Sequence, residues 1–368
     1  MRKIKIGIVG CGNISGIYFE NLTKTFSPIV EVAAISDIVA ERAAEAAEQY
    51  NIPQVLKTEQ LLASPDIDIV LNLTIPAVHY DVCMAALNAG KHVYVEKPLS
   101  ITREQGTAIN KLAAEKGLLV GCAPDTFLGG GIQTCIKLIN DGWIGTPVAA
   151  TAFMTCHGHE SWHPDPEFYY KTGGGPMFDM GPYYLTALIA MMGPISYISG
   201  MTQKTFDTRT ITSEKKFGNT VDVEVPTHIA GTMQFACGAI GTIITSFDIW
   251  GANLPFIEIH GTTGSLSVPD PNTFGGIVKV KRANHTEWQE VPLTHIYSEN
   301  SRGIGVCDMA YAILDGRKNR ANGELAYHVL DAMHAFHDSS NEGKHVTLQS
   351  TCTKPEPLQC DLINGFLK

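Results

Sequence analysis

The 368-residue sequence has no long apolar run. Its most apolar stretch, Tyr183 to Met192, ends at Gly193-Pro194 and is far shorter than the about 20 residues that cross a bilayer. The basic residues near the start are followed by Ile4 to Val9 and then by glycines, without the apolar core of a secretion signal. We therefore expect no membrane span, no secretion signal and a cytoplasmic protein.

Positive charge and paired cysteines are also scarce. The formal net charge is -10, from 27 Lys and Arg against 37 Asp and Glu. An acidic surface disfavours nucleic acid or an anionic membrane as the main partner. The nine cysteines form no C-x-x-C pair, so reduced and mostly buried thiols are expected rather than a disulfide framework or a zinc ribbon.

The residues that are present fall into two patterns, and the chain is long enough for two domains. In the first part, short β-like runs alternate with helical patterns, which predicts a doubly wound parallel α/β sheet. From about 195 to 292, short β runs alternate with close turns, which predicts a mostly antiparallel sheet. The expected units are 1–124, 125–350 and a C-terminal tail, 351–368.

The strongest local motif runs from Gly7 to Gly16, after a predicted strand and at the start of a predicted helix. Gly10 and Gly12 match the first two glycines of G-x-G-x-x-G, and Ser15 stands in the third place. Such a turn lets the backbone approach a pyrophosphate, which the free N–H groups of the helix then face. The motif predicts a dinucleotide site that includes Gly10, Gly12, Asn13 and Ile14.

Asp37 ends the second predicted strand. A carboxylate at this place accepts hydrogen bonds from the adenosine ribose hydroxyls and repels a 2′-phosphate. Ile38 adds no positive charge beside it, so NAD is expected rather than NADP. The alternative is that Asp37 only caps the helix beginning at Val39.

Glu96-Lys97-Pro98, directly after the fourth predicted strand, completes an ordered set of motifs. The others are the glycine run and the stretches Leu73 to His79, Leu138 to Gly145 and Gly173 to Tyr183. In this combination the chain resembles the glucose–fructose oxidoreductase / inositol dehydrogenase (Gfo/Idh/MocA) family, from residue 3 to about 348. The resemblance implies a Rossmann domain that binds NAD or NADP and an α+β domain with an open, mostly antiparallel sheet. It also implies a sugar, inositol or related polyol substrate, and a homodimer or homotetramer packed through the sheet face.

The resemblance implies site residues as well. Lys97 matches the family's lysine, and Asp179 and Tyr183 match its aspartate and the histidine or tyrosine four residues later. Inositol dehydrogenase-like members have histidine there, whereas tyrosine occurs in the branch that includes glucose–fructose oxidoreductase, so the identity of the acid/base stays open. The residues expected near the nicotinamide end of the cofactor are Thr74, Pro76, His79, Glu96 and Lys97. His79 is equally compatible with a plain helix start.

Oxidation of a secondary alcohol needs hydride transfer to nicotinamide and a base for the hydroxyl proton. The Lys97 ammonium can polarise the reacting oxygen, and burial near the nicotinamide cation would lower its pKa. The same ammonium would favour the phenolate of Tyr183, so we expect Tyr183 to exchange the proton and Lys97 to orient the oxygen. One helix from Phe178 to Met192 would set Asp179 one turn before Tyr183.

The segment from 156 to 176 is rich in Pro, Gly, His and aromatic residues and predicts a long functional loop. Aromatic side chains stack on sugar faces while polar groups bind hydroxyls. The residues expected at the substrate are His157, Trp162, His163 and Tyr169 from this loop, together with Asp125, for which a turn cap is the alternative. The H-x-H-x3-H spacing matches no usual metal pattern, and no metal is expected.

Two other functions fit the same motifs. The first is a relative that keeps its NAD and uses transient oxidation to cleave a glycoside, as family members do. The second is a sensor that binds dinucleotide and sugar without catalysis. The joint presence of Lys97, Asp179 and Tyr183 argues against the sensor, which needs no proton-transfer set.

Overall fold

The computed structural model describes residues 2–368. The first part of the chain alternates strands and helices, as the sequence predicts. Its elements are β1 (Ile4–Val9), α1 (Ser15–Thr23), β2 (Val30–Ser36), α2 (Ala40–Tyr50), α3 (Thr58–Ala63), β3 (Ile69–Asn72), α4 (His79–Asn88), β4 (His92–Val95), α5 (Arg103–Lys116) and β5 (Val120–Cys122). A short 3-10 turn, Pro76–Val78, precedes α4.

The five strands form one parallel sheet in the order β2-β1-β3-β4-β5. Strand β2 lies on one side of β1, and β3 and the later strands lie on the other side, so the strand order reverses between β1 and β3. In open α/β sheets, ligands bind beyond the carboxyl ends of the strands at this kind of switch point. The glycine motif directly follows β1 and therefore lies at the expected place.

The second part carries a larger sheet. Its elements are α6 (Gly130–Asn140), β6 (Pro147–Thr155), α7 (Gly175–Asp179), α8 (Gly181–Met192), β7 (Ile195–Gln203), β8 (Thr208–Thr210), β9 (Thr220–Asp222), β10 (His228–Phe235), β11 (Ile240–Ser246), β12 (Ile257–Gly261), β13 (Gly264–Val268), β14 (Val278–Arg282), β15 (Gln289–Val291), α9 (Ile304–Asp315), α10 (Gly323–Glu342) and β16 (Val346–Thr347).

Nine of these strands form a sheet in the order β15-β14-β13-β12-β6-β11-β10-β7-β16, and β8 pairs with β9 separately. All neighbours in the nine-stranded sheet are antiparallel except β6 and β11. Helices α6, α7, α8 and α10 pack against this sheet. The fold class expected from the sequence is therefore confirmed, including the mostly antiparallel pairing.

The last helix joins the two sheets. Helix α10 packs against β7 of the large sheet and also against α5 and β5 of the parallel one. Arg103 on α5 donates to the Asp331 carboxylate on α10 at 2.6 Å. In the tail, Leu358, Leu362 and Leu367 are buried, so the segment after 350 is held by apolar contacts as it crosses the surface.

The sequence-based prediction of one helix from Phe178 to Met192 is wrong. The chain forms α7 and α8 instead, with a break at Met180. Pro182 lies in the first turn of α8, where a missing N–H costs nothing and where a proline favours a helix start. The short elements α3, β8, β9 and β13 were not predicted either.

From residue 2 onward, no helix combines the length and apolar character needed to span a membrane. All nine cysteines are free thiols, and five of them are buried.

Candidate active site

The glycine turn after β1 has the geometry of a phosphate cradle. Gly10 has φ +103°, and a Cβ there would lie 2.8 Å from the carbonyl of Leu73 and 3.0 Å from the amide of Thr74. At Gly12 an added Cβ would meet no protein atom within 4 Å. Gly10 is therefore required by the close approach of two loops, whereas Gly12 leaves open space, as a ligand-facing glycine does.

Helix α1 starts at this turn with free donors. Its N-terminus has no side-chain cap, and its first turn holds no acidic residue. The Ser15 hydroxyl donates to the Gly12 carbonyl at 2.7 Å, which steadies the turn. Cys11 is half-buried, while Gly12, Asn13 and Ile14 are exposed. Open N–H groups at a helix start with no competing carboxylate fit the phosphates of a dinucleotide.

The Asp37 carboxylate lies beside the glycine turn. Its Oδ2 accepts from the Cys11 amide at 2.6 Å, and its Oδ1 accepts from the Val39 amide at 2.8 Å. Asp37 therefore does cap the start of the next helix, at the Val39 amide, as the alternative proposed. Each carboxylate oxygen has a further lone pair, so the contact with ribose hydroxyls stays a prediction.

The loop after β3 is shaped by Asn72 and His79. Asn72 Oδ1 accepts from the amide and hydroxyl of Thr74, at 3.2 and 2.6 Å. The structure corrects the expectation for His79: its ring is fully buried, with Nδ1 2.7 Å from the Pro98 carbonyl and Nε2 3.0 Å from the Thr74 carbonyl. His79 thus ties the Thr74 loop to the Glu-Lys-Pro loop, while Thr74 and Pro76 remain partly exposed at the rim.

Glu96 is a buried anchor for the chain at Lys97. Its Oε1 accepts from the Tyr18 hydroxyl at 2.7 Å, and its Oε2 accepts from the Lys97 amide at 2.9 Å. These bonds join α1 of the glycine motif to the end of β4. A direct cofactor contact by Glu96 stays a prediction, because both carboxylate oxygens already have protein partners.

Lys97 and Asp179 form the centre of the site. Lys97 Nζ donates to Asp179 Oδ1 at 2.7 Å and to the Asp179 backbone carbonyl at 2.8 Å. Burial disfavours the Asp179 anion, but Lys97 and His159 outweigh it and hold the pKa of Asp179 at about 2. Burial would lower the pKa of Lys97, yet Asp179 and its neighbours raise it above the usual range. In the protein alone the pKa of Lys97 is thus raised, which favours the ammonium, although burial acts in the expected direction; the effect of a nicotinamide cation stays a prediction.

Tyr183 lies next to this pair, with its ring centroid 5.3 Å from Lys97 Nζ. Burial raises the pKa of Tyr183 in spite of the cations Lys97 and Arg302, which both act to lower it. Lys97 thus acts on Tyr183 in the expected direction, towards the phenolate, but burial has the larger effect and favours the neutral phenol. Arg302, on the loop before α9, was not predicted, because no motif surrounds it and the fold alone brings it to Tyr183.

The predicted substrate loop brings three of its expected residues to the same place. They pack around His159, whose ring lies edge-on to Tyr169 at 4.5 Å and to Trp162 at 5.3 Å. His163 contacts both Trp162 and Tyr169. Tyr169 is close enough to Asp179, Lys97 and Tyr183 for their charges to act on its pKa, which burial raises.

His159 is a further residue at the Lys97–Asp179 pair, and the sequence analysis did not assign it a role. Its Nε2 lies 3.0 Å from Asp179 Oδ2, so Asp179 is shared between Lys97 on one oxygen and His159 on the other. The H-x-H spacing drew attention to the loop, but nothing in the sequence distinguishes His159 from its two neighbouring histidines. Their difference lies in which side of the loop each faces.

Comparisons with known proteins identify the family of this chain. Residues 4–123 match the model of the oxidoreductase family with an NAD-binding Rossmann fold, and residues 132–267 match the GFO/IDH/MocA C-terminal domain. The chain belongs to the Gfo/Idh/MocA oxidoreductase family. It is thus an oxidoreductase whose first domain is of the NAD-binding Rossmann type.

Relatives of this Gfo/Idh/MocA protein include scyllo-inositol 2-dehydrogenase (NADP(+)) IolW of Bacillus subtilis, 26% identical over 72% of this chain and 68% of that protein. A dTDP-3,4-didehydro-2,6-dideoxy-alpha-D-glucose 3-reductase of Actinomadura kijaniata is 25% identical over 87% of this chain and 90% of that one. The same fold occurs in a levoglucosan dehydrogenase in complex with NADH and L-sorbose, with a TM-score of 0.81 and 21% identity over 95% and 100% of the two chains.

In this family member, His157 lies apart from the Lys97 cluster, which consists of Lys97, Asp179, Tyr183 and His159. Its ring stacks on Trp250 with centroids 3.4 Å apart, and it lines a separate cavity of about 390 Å³ together with Arg209 and Phe206. The buried Arg209 donates to the His157 carbonyl and to the Glu160 carboxylate, both at 2.8 Å. Arg209 therefore holds the His157 backbone and the Glu160 side chain, on either side of His159, and the expected position of His157 at the substrate is corrected.

Asp125 takes the alternative role, that of a cap, instead of the expected contact with substrate. It is buried, and its Oδ2 accepts from the amides of Gly303 and Gly305 at 2.8 and 3.0 Å. Burial raises the pKa of Asp125 to about 6. The residue fixes the start of α9, next to Arg302, rather than facing the Lys97 cluster.

The three loop histidines do not converge. His157 faces Trp250, His159 faces Asp179, and His163 Nδ1 accepts from the Asp165 amide at 3.1 Å. Across residues 2–368, no cluster of three or more His, Cys, Asp or Glu side chains has the arrangement of a metal site.

Proposed function

We propose that this protein is an NAD-dependent dehydrogenase that interconverts a secondary hydroxyl and a keto group on a sugar, glycoside or cyclitol. The observation that carries the proposal is the Lys97–Asp179 pair at the carboxyl end of β4, beside the glycine cradle at the switch point of the same sheet. A fixed ammonium beside a dinucleotide site can stabilise the negative charge that develops on the oxygen during alcohol oxidation. The names of the relatives, an inositol dehydrogenase and sugar reductases, support the substrate class.

Lys97 orients and polarises the reacting oxygen. Two of its three N–H donors are taken by Asp179, which leaves one for a substrate oxygen. As a fixed cation, it stabilises the negative charge that develops on that oxygen when the hydroxyl loses its proton. Bound NAD supplies the acceptor of the hydride. Asp179 keeps Lys97 charged and directed, so the cation needs little rearrangement during the reaction.

Tyr183 is our candidate for the proton exchange. As a neutral phenol it can give a proton to the oxygen in the reductive direction. In the oxidative direction, Lys97 and Arg302 stabilise the phenolate that accepts the proton. Arg302 therefore belongs to the proposed site as the second cation acting on Tyr183.

The substrate is proposed to lie against Trp162, His163 and Tyr169. Trp162 is 59% exposed, so an apolar ring face is available for the C–H face of a sugar. Tyr169 adds a hydroxyl near Lys97. An aromatic wall opposite charged hydrogen-bonding groups suits a ligand with both apolar faces and hydroxyls.

NAD is the proposed cofactor rather than NADP. Support comes from Asp37, whose carboxylate charge lies beside the Cys11 amide of the cradle, and from the uncharged Ile38 next to it. A 2′-phosphate near Asp37 meets electrostatic repulsion. The name of the Bacillus subtilis relative specifies NADP(+). The proposed preference for NAD therefore rests on Asp37 and Ile38 of this chain and not on that relative.

The experiment that tests the function is a turnover screen of the purified protein. NAD or NADP is mixed with inositols, aldoses and glycosides, and the absorbance of the reduced nicotinamide is recorded. We expect reduction of NAD by at least one compound of these classes. If the protein binds NAD but no compound leads to its reduction, the dehydrogenase function is excluded. Analysis of cleaved glycosides then tests the NAD-retaining alternative.

We further propose a homodimer or homotetramer formed through the open face of the large sheet, in the cytoplasm. Paired residues on four adjacent strands make an apolar row on that face: Met201, Ala230, Ile244 and Phe153. Met201 is 79% exposed, which favours a covering partner. Light scattering should give a dimer or larger for the wild type and a monomer for Ile244→Glu. A monomeric wild type would contradict the assembly.

A further inference from the structure

The loop before α9, which carries Arg302, is fixed to helix α1 by one buried side chain. Asn21 lies on α1 and is 8% exposed. Its Nδ2 donates to the Asn300 carbonyl at 2.9 Å and to the Arg302 carbonyl at 2.8 Å. A side-chain amide nitrogen has two protons, so both donors of Asn21 are used on this loop. The backbone at Arg302 is therefore held by the helix that begins at the glycine turn.

The other end of the same loop is held by Asp125. Its Oδ2 accepts from the amides of Gly303 and Gly305, at 2.8 and 3.0 Å. Arg302 thus lies between two anchors in the parallel-sheet half of the chain, one on α1 and one directly after β5. Its backbone position is set from both sides.

The guanidinium of Arg302 is directed as well. Its Nη2 donates to Asn272 Oδ1 at 2.9 Å, and the group lies over the Phe274 ring at 5.8 Å from the centroid. It also reaches Tyr183, where its charge and a side-chain hydrogen bond act to lower the pKa of the phenol. A cation held in place beforehand needs little rearrangement when a phenolate forms.

Helix α1 has the same relation to the other cation of the proposed site. Tyr18 precedes Asn21 by three residues, so the two buried side chains lie on one face of α1. The Tyr18 hydroxyl donates to Glu96 at 2.7 Å, and Glu96 accepts from the Lys97 amide at 2.9 Å. One helix therefore anchors the backbone of Lys97 through Tyr18 and that of Arg302 through Asn21.

We propose that Asn21 is a positioning residue, which holds the Arg302 backbone so that the guanidinium stays beside Tyr183 during proton exchange. The proposal rests on the proposed dehydrogenase function and adds a residue outside the reacting groups. Both Asn21 donors are used on carbonyls, so its role is to act through Arg302. The attraction between a cation and a phenolate weakens with their separation. A loosened Arg302 therefore stabilises the phenolate less.

The first test measures kcat for oxidation against pH in Asn21→Leu, which removes both donors at similar side-chain volume. The rise of kcat should move to more alkaline pH, with a loss of about threefold or more at pH 7 and little change in KM. Thr23→Val is the matched control. It removes the hydroxyl that donates to the Phe19 carbonyl at 2.6 Å on the same helix and should keep the wild-type profile.

A double variant tests whether Asn21 acts through Arg302. When Asn21→Leu is added to Arg302→Leu, the pH profile should move no further, because two residues in one network are not additive. Asn21→Ser keeps one donor in a smaller side chain and should give an intermediate shift. It also keeps the proposal testable if Asn21→Leu does not fold. A further shift in the double variant would contradict the proposal.

A second measurement needs no turnover. Protein labelled with fluorotyrosine is titrated with base and followed by fluorine NMR, and Tyr183→Phe identifies the Tyr183 signal. The midpoint for Tyr183 should rise in Asn21→Leu and stay unchanged in Thr23→Val. Lys97 and Glu96, the other charged groups that act on Tyr183, are present in all of these proteins.

The two measurements separate this proposal from the dehydrogenase itself. If no compound turns over but Asn21→Leu still raises the Tyr183 midpoint, the dehydrogenase fails and the positioning role of Asn21 stands. If Asn21→Leu lowers only the urea denaturation midpoint, while the kcat profile and the Tyr183 titration stay as in wild type, Asn21 is merely structural and the proposal is overturned.

Discussion

Lys97 contacts Asp179 twice, through the carboxylate at 2.7 Å and through the backbone carbonyl at 2.8 Å. The two residues belong to different domains, because Lys97 follows β4 of the parallel sheet and Asp179 ends α7 of the second domain. The contact therefore positions the cation and also joins the two halves of the site. Loss of either partner leaves a largely buried charge without its counter-ion.

Asp179→Asn should destabilise the fold at neutral pH. Asp179 has a folded pKa of about 2, below that of an unfolded aspartate, so its stabilisation is present above about pH 4 and is lost as the pH falls toward 2. The depression corresponds to about 2 kcal/mol at pH 7. Urea denaturation of wild type and variant at pH 7 and pH 3 should show the gap narrowing in acid.

The matched control is Asp141→Asn, which removes the exposed partner of Lys137 and should leave the denaturation midpoint unchanged. If the free energy of unfolding of wild type and Asp179→Asn differs by the same amount at pH 7 and pH 3, the ionised Lys97–Asp179 pair is contradicted.

Tyr183→Phe should lower kcat about 100-fold or more while the Kd for NAD changes less than threefold. The hydroxyl is proposed to act only in proton exchange, so its removal affects the transition state rather than cofactor binding. Steady-state kinetics and fluorescence titration of NAD measure the two effects. Equal losses in kcat and cofactor affinity would indicate a structural tyrosine and exclude this role.

Arg302→Leu should move the pH dependence of the oxidation rate. Arg302 is one of two cations that act to lower the pKa of Tyr183. Its removal raises that pKa further, so the rise of kcat with pH should shift to more alkaline values and the neutral rate should fall about tenfold. An unshifted profile would show that Arg302 and Tyr183 are not coupled in catalysis.

Asp37→Asn should change the choice of cofactor. The amide keeps an acceptor for one of the Cys11 and Val39 amides but removes the negative charge that repels a 2′-phosphate. The ratio of kcat/KM for NAD over NADP should fall at least tenfold. A wild-type ratio in the variant would mean that Asp37 is only a cap and that other residues select the cofactor.

Local patterns predicted the glycine turn after β1 well. A glycine turn after an apolar strand has few structural solutions, and Gly10 is close-packed at its positive φ as the motif requires. The termini of α5 likewise depend on local residues, because Thr102 accepts from the Gln105 amide and Gly117 takes the left-handed conformation. These features depend on neighbours in sequence.

The substrate half depends on contacts that sequence patterns do not encode. The His159–Asp179 pair and the Arg302–Tyr183 contact arise from loops meeting in space. The burial that makes Tyr183 a neutral phenol arises from the packing of whole elements. The break at Met180 was missed because its flanking residues read as one apolar helix, although Gly181-Pro182 marked a new helix start.

The most direct measurement follows a deuterium label from substrate to cofactor. A sugar or cyclitol that turns over is deuterated at the carbinol carbon, and the mass of the reduced nicotinamide is measured for wild type, Lys97→Met and the exposed Lys116→Met. The account predicts one deuterium per NADH in wild type and Lys116→Met, and a rate at least about 100-fold lower in Lys97→Met. Unlabelled NADH, or an undiminished rate in Lys97→Met, would contradict hydride transfer at this site.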